Sequence, residues 1–245
     1  MITNQLLVPP VWPPINLQQI RDKMAVGTLI LRLSIQDNRQ YLSTAKQLLP
    51  ETEQLRANRF IQQDDQLRFV LGRRLLREIL GLHIQCSAVA VPLVYNAYGK
   101  PALPTHNPVK VHFNISHSGD YVLIALSDTP VGIDTEHMKA GFAYQDFAST
   151  VFSTAETNAI KQSPIPYETF YLFWTRKEAF LKNKGCGLAL SPQEIPALDG
   201  QHLLPVKTPT AYAIHSFSYA RDYIGSICLK QTAMTNIHFY TVGLG

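Results

Sequence analysis

RFVLGRRLLREILG, residues 68 to 81, decides the fold, because a second stretch of the chain can be laid over it. Set without gaps on LFWTRKEAFLKNKG, residues 172 to 185, it matches Phe69 to Phe173, Arg73 to Lys177 and Gly81 to Gly185. Both stretches carry apolar residues at helical spacing. A similar distance further on, GDYVLIAL (119 to 126) meets RDYIGSICL (221 to 229). A helix followed by strands, met twice, is what internal duplication leaves behind, although amphipathic helices also resemble one another by chance. Duplication implies an α+β protein of two similar halves, residues 1 to 128 and 129 to 245, related by a pseudo-two-fold axis with a cleft between them.

Outward from the first stretch, helical periodicity covers Ser43 to Leu80, with Leu48, Leu55, Phe60, Leu67, Phe69, Val70, Leu75, Leu76 and Ile79 spaced for buried stripes and Gly81 ending the last helix. Before it, GTLILRLSI (27 to 35) reads as a strand, order begins near Val26, and the proline-rich residues 1 to 16 form an extended arm. After it, VYNAYGKPAL (94 to 103) reads as strand and turn, and VHFNISHSGDYVLIALS (111 to 127) as two strands joined through HSGD. VGIDTEH (131 to 137), AYAIHSFSYA (211 to 220) and YIGSICLK (223 to 230) complete the strands, and YETFYLFWTRKEAFLKNKGCG (167 to 187) is the second long helix.

The 245 residues, 46% hydrophobic and 16% charged, suffice for a substantial core. A net charge of +4 favours an anionic ligand or acidic partner mildly and falls short of a nucleic-acid coat. Cys86, Cys186 and Cys228 have neither disulfide-framework nor zinc spacing, which fits a reducing compartment. With no leader-like N-terminus and no run of eighteen apolar residues, the expectation is a cytoplasmic protein without a membrane span.

Four motifs carry chemistry. In an extended VGIDTEH, Gly132, Asp134 and Glu136 share one face, so two carboxylates point the same way and repel unless a positive charge or water intervenes. In FWTRKEAFLKNKG, Trp174, Glu178 and Lys182 fall at i, i+4 and i+8 on one helix face. FNISHSG (113 to 119) sets Asn114, Ser116, His117 and Ser118 before a glycine, where hydroxyls, an imidazole and turn N–H groups can cradle a phosphate. YGKP holds Lys100 in a tight turn, where it can meet a phosphate. Singly, each has an ordinary reading: a solvated strand face, a surface ion pair beside a core Trp, turn residues, an exposed lysine.

Together, in this order and spacing, YGKP, FNISHSG, VGIDTE and FWTRKEAFLK resemble the 4′-phosphopantetheinyl transferases of the Sfp type. The resemblance runs from about Arg68 to Gly187 in its motifs. It implies that Lys100, Ser116 and His117, with Arg68, bind coenzyme A, and that Asp134, Glu136 and Glu178 bind Mg²⁺. It further implies transfer of the phosphopantetheine arm to a serine of an apo acyl or peptidyl carrier protein, with release of adenosine 3′,5′-bisphosphate. Glu178 then serves as general base and Lys182 steadies and protonates the leaving phosphate. The family's basic grip on the 3′-phosphate has Arg56, Arg59 and Arg68 as candidates, Arg68 in the best register. The region from Gln145 to Pro166, with Phe152 and Glu156, corresponds to the family's variable segment. Two halves in one chain imply a monomer. The alternatives are a Mg²⁺-dependent phosphohydrolase or nucleotidyl transferase using the same carboxylates and, ranked lowest, a nucleic-acid binder using Arg68, Arg73, Arg74 and Arg77.

Overall fold

The computed structural model describes residues 1–24, 27–204, 210–231 and 236–245. Its elements are, in order, β1 (Ile2–Leu6), α1 (Leu17–Lys23), β2 (Thr28–Ser34), α2 (Leu42–Gln47), α3 (Glu51–Ala57), α4 (Gln63–Ile84), β3 (Val94–Tyr95), β4 (Pro101–Ala102), β5 (His112–Ser118) and β6 (Tyr121–Ser127). There follow β7 (Gly132–His137), α5 (Gln145–Val151), α6 (Thr154–Gln162), α7 (Pro166–Lys184), β8 (Gly200–His202), β9 (Tyr212–Tyr219), β10 (Tyr223–Lys230) and β11 (Ile237–Thr241). The chain is therefore α+β. It divides into an amino-side unit (Val11–Tyr95, Pro101–Asp128, Asn236–Gly245) and a carboxyl-side unit (Met1–Pro10, Asn96–Lys100, Thr129–Thr235).

In the amino-side unit the sheet order is β11-β2-β6-β5, with β2 and β5 each antiparallel to β6 and β11 parallel to β2. Helix α4 covers one face of it, burying Leu67, Val70, Leu71, Leu75, Leu76, Ile79 and Leu80 with Leu29, Leu31, Leu33, Val122, Ile124 and Leu126. Complete burial of one such side chain stabilises by about 1.5–3 kcal/mol. Gly72 lets the helix come close, since a Cβ there would lie 3.0 Å from Val122 and 3.1 Å from Ile115. In the carboxyl-side unit the order is β7-β10-β9-β1-β8, β10 being antiparallel to both β7 and β9. Both units thus share one connectivity: a strand, helices ending in a long one, then a hairpin whose second strand pairs back with the first strand.

Ion pairs follow the same pattern. In the amino-side unit Glu53 of α3 is buried and meets Arg77 (2.7 Å) and, more loosely, Arg73 (3.9 Å) of α4. In the carboxyl-side unit buried Glu156 of α6 meets Lys177 of α7 at 2.9 Å. Arg73 and Lys177, matched in the sequence overlay, each lie beside a buried glutamate of the preceding short helix.

Five expectations need correction. Residues 1 to 16 are not a free arm: β1 pairs parallel with β9 and antiparallel with β8, because residues 2 to 6 supply a sheet edge that otherwise would stay unpaired. Order does not wait for Val26, itself outside the described residues, since β1 and α1 (Leu17–Lys23) precede it. Gly81 does not end α4, which runs to Ile84 and stops at Gln85 in the left-handed region (φ 58°). Gly81 instead admits the returning chain, a Cβ there lying 2.7 Å from the Cys86 carbonyl oxygen. The four arginines of α4 named for nucleic-acid binding are not one exposed set, since Arg73 and Arg77 are buried and Arg74 pairs with Glu78 at 3.0 Å. Asn114, Ser116, His117 and Ser118 stand on β5 rather than in a turn; only Gly119 (φ 52°) and Asp120 connect the hairpin, since Ser118 pairs with Tyr121.

The closest approach in the carboxyl-side unit is at Gly132, where a Cβ would overlap the Ala179 carbonyl oxygen and the Asn183 nitrogen of α7. The obstacle is backbone, so strand or helix would have to shift. Gly132→Ala is expected to lose about 1–3 kcal/mol or more of stability in urea unfolding. Gly141→Ala, at a glycine with nothing within 4 Å, serves as the control and should be near neutral.

Candidate active site

Strand β7 and helix α7 build the site, and the pleat decides which side chains take part. Because Gly132 faces α7, the alternation puts Asp134 and Glu136 on that same face. The helix runs along the strand: Lys182 pairs with Asp134, whose charge also acts on Glu178 one turn earlier, and Ala179 and Asn183 pack on Gly132. Asp134 is buried, and its Oδ1 accepts from Lys182 Nζ at 2.6 Å. Glu178, one turn before Lys182, has its pKa raised by burial and then by the charge of Asp134, with Lys182 acting in the opposite sense. Glu178 thus feels both the repulsion of Asp134 and the attraction of Lys182.

The donors are hard carboxylate oxygens, which suit Mg²⁺. Their chemistry fits such an ion, which would relieve the repulsion between Glu178 and Asp134. Among the described residues no three His, Cys, Asp or Glu side chains stand gathered around a metal position, and Lys182 supplies the counter-charge at Asp134.

Lys100 belongs to this unit. Its Nζ donates to the carbonyls of Lys182 (2.5 Å), Val131 (3.1 Å) and Asn183 (3.3 Å), and burial lowers its pKa to about 8, with Cys228 and Cys186 opposing. Arg68, Ser116 and His117 belong to the amino-side unit. Arg68 donates to the Gly119 carbonyl at 2.5 Å and to Asp65 at 2.6 Å, holding the start of α4 to the β5–β6 turn. Ser116 is buried on β5 and His117 exposed.

Behind the carboxylates, Lys177 and Glu156 form a fully buried pair. Lys177 Nζ also donates to the Pro192 carbonyl (2.9 Å) and the Ile195 carbonyl (2.5 Å), and Glu156 accepts from the Ala197 (2.7 Å) and Ser153 (2.8 Å) amides. Trp174 packs against the cluster of Phe152, Phe170 and Phe173 and is structural. The role of Glu156 is a residue assignment that motif reading missed. Its signal was present in S-T-A-E (153 to 156), a capping box that starts α6 and binds the glutamate to the helix entrance.

Comparison with known proteins gives a consistent picture. Residues 36–129 match the family described as 4′-phosphopantetheinyl transferase, N-terminal, and residues 130–228 match the 4′-phosphopantetheinyl transferase superfamily. The chain is 32% identical over 196 residues to the 4′-phosphopantetheinyl transferase Sfp of Bacillus subtilis (strain 168), covering 78% of this chain and 82% of that protein. It is 29% identical to the 4′-phosphopantetheinyl transferase HetI of Nostoc sp., covering 82% and 85%. Against the transferase ffp of Bacillus subtilis it is 33% identical, covering 55% and 59%.

The raised pKa of Glu178 has a signed consequence. A carboxyl that holds its proton more tightly when folded removes stability as it ionises, so the loss begins as pH rises past about 4.5 and is complete above the raised folded value. Glu178→Gln abolishes that ionisation. In EDTA buffer the variant should have a higher urea midpoint than the wild type at pH 7, and the difference should shrink as pH falls toward 4.5.

Proposed function

We infer that this chain, which belongs to the 4′-phosphopantetheinyl transferase family, transfers the 4′-phosphopantetheine arm of coenzyme A to a serine of an apo carrier protein. The observation that carries the reading is the pairing of Asp134 on β7 with Lys182 on α7, one turn from Glu178, inside the residues that match the superfamily. Acids that repel one another beside a lysine suit the chemistry of a charged pyrophosphate.

In this reading Glu178, whose proton affinity is raised, takes the proton from the carrier serine hydroxyl. The serine oxygen bonds to the phosphorus that bears pantetheine, and the bond from that phosphorus to the bridging oxygen breaks. Adenosine 3′,5′-bisphosphate leaves with the electron pair, and Lys182 steadies and protonates it. Asp134 keeps the Lys182 ammonium aimed at the site. Asp134, Glu136 and Glu178, which are not gathered around one position, would have to draw together to hold Mg²⁺, which when bound would neutralise the pyrophosphate against the incoming oxygen. Arg68, Ser116 and His117 take the coenzyme phosphates. A cytoplasmic location and a monomeric state belong to the same proposal; no described helix is long and apolar enough to cross a membrane.

The test is intact-mass spectrometry of an apo acyl carrier protein incubated with the chain and coenzyme A, first with Mg²⁺ and then with EDTA. The carrier should gain one phosphopantetheine in Mg²⁺ and none in EDTA, and Asp134→Asn should lose at least about a hundredfold in rate. No gain with carriers from fatty-acid, polyketide and peptide synthases would favour a Mg²⁺-dependent phosphohydrolase using the same carboxylates.

A further inference from the structure

The turn of YGKP is far from Glu178 in sequence, yet it closes around the end of the helix that carries Glu178 and Lys182. A helix ends with carbonyls that lack intrahelical partners and with partial negative charge. At the end of α7 these carbonyls are met by side chains of Asn96–Lys100. Lys100 Nζ reaches the Lys182 and Asn183 carbonyls, and Asn96 Nδ2 donates to the Gly185 carbonyl at 2.7 Å. The turn is itself fixed, because Asn96 Oδ1 accepts from the Tyr98 amide (3.0 Å) and the Lys100 amide (2.9 Å). Gly185, left-handed at φ 63°, leaves the room the turn needs: a Cβ there would lie 3.1 Å from both Asn96 Nδ2 and Lys100 Cδ. The same ammonium also reaches the Val131 carbonyl, next to Gly132, where strand and helix come closest.

We propose that Lys100 is a positioning residue rather than a contact to coenzyme A: the Asn96–Lys100 turn clasps the end of α7 to the start of β7 and so fixes Lys182 against Asp134. The proposal rests on the transferase reading for its catalytic consequence. Its geometry is independent of that reading. One amine bonded to both elements leaves little freedom between them, and the Lys182 carbonyl it grips belongs to the residue whose Nζ lies 2.6 Å from Asp134. The lowered pKa of Lys100, caused by burial, accords with an amine turned inward to carbonyls.

The full chain is tested as wild type, Lys100→Met and Asn96→Ala, with the folded fraction fixed by circular dichroism. Steady-state transfer to an apo carrier should show kcat per folded molecule down about tenfold in Lys100→Met and less in Asn96→Ala, with KM for coenzyme A within about twofold of wild type. Hydrogen exchange read by mass spectrometry should be faster in both variants for amides at the end of α7 and unchanged in α4. A KM for coenzyme A raised about tenfold at constant kcat would make Lys100 a coenzyme contact and overturn the proposal, as would unchanged kcat or unchanged exchange. If Lys100→Met fails to fold, Asn96→Ala decides by the same readings. A wild type that transfers nothing would refute the transferase reading instead, and the exchange result would still decide whether the clasp exists.

Discussion

The approach of strand β7 to helix α7 at Gly132 governs the rest of the carboxyl-side unit. With no Cβ between them, strand and helix meet backbone to backbone. The pleat then sends the next two alternate residues, Asp134 and Glu136, toward the helix, and helical rise brings Glu178 and Lys182 past Asp134. The G-x-D-x-E pattern is thus a single geometric statement: the glycine sets the spacing, and the acids inherit it. A larger residue at the first position would push the acids away from their partners without touching them.

A second layer explains why α7 stays in place. Lys177 and Glu156 are both inside the protein, and two charges there stabilise only when their other hydrogen bonds are made. Here two carbonyls take the remaining donors of Lys177, and two amides bond the carboxylate of Glu156. Consecutive residues of α7, Lys177 and Glu178, therefore have opposite duties. The first is neutralised and satisfied within the framework, while the second faces the strand with its proton affinity raised. Glu53 with Arg77 does for α4 what Glu156 does for α7, which makes the buried glutamate part of the repeated plan.

Much of this was legible in the sequence. The periods of α4 and α7, the hairpins and the shared face of Asp134 and Glu136 all follow from local alternation, and local alternation is what a sequence displays. The misreadings have a common cause in long-range partners. Residues 2 to 6 look like an arm because proline follows them, and only β9 makes them a strand. Arg73 and Arg77 look available to a nucleic acid until Glu53 is placed beside them. FNISHSG looks like a turn because Asn, Ser and Gly are turn residues, but pairing with β6 holds all but the glycine in the ladder. Lys100 gave no sign of its carbonyl partners, which lie on a helix some eighty residues later in the chain.

The crossed ends of the chain bear on how the protein can be made. β1 is made long before its partners β8 and β9, and β2 long before its partner β11. Neither unit can complete its sheet until these distant strands have been made, a topology rich in non-local pairings and slow to close. Until then the edges of β1 and β2 are open to other chains, and the proline pair at 9–10 stands where it would discourage pairing beyond β1.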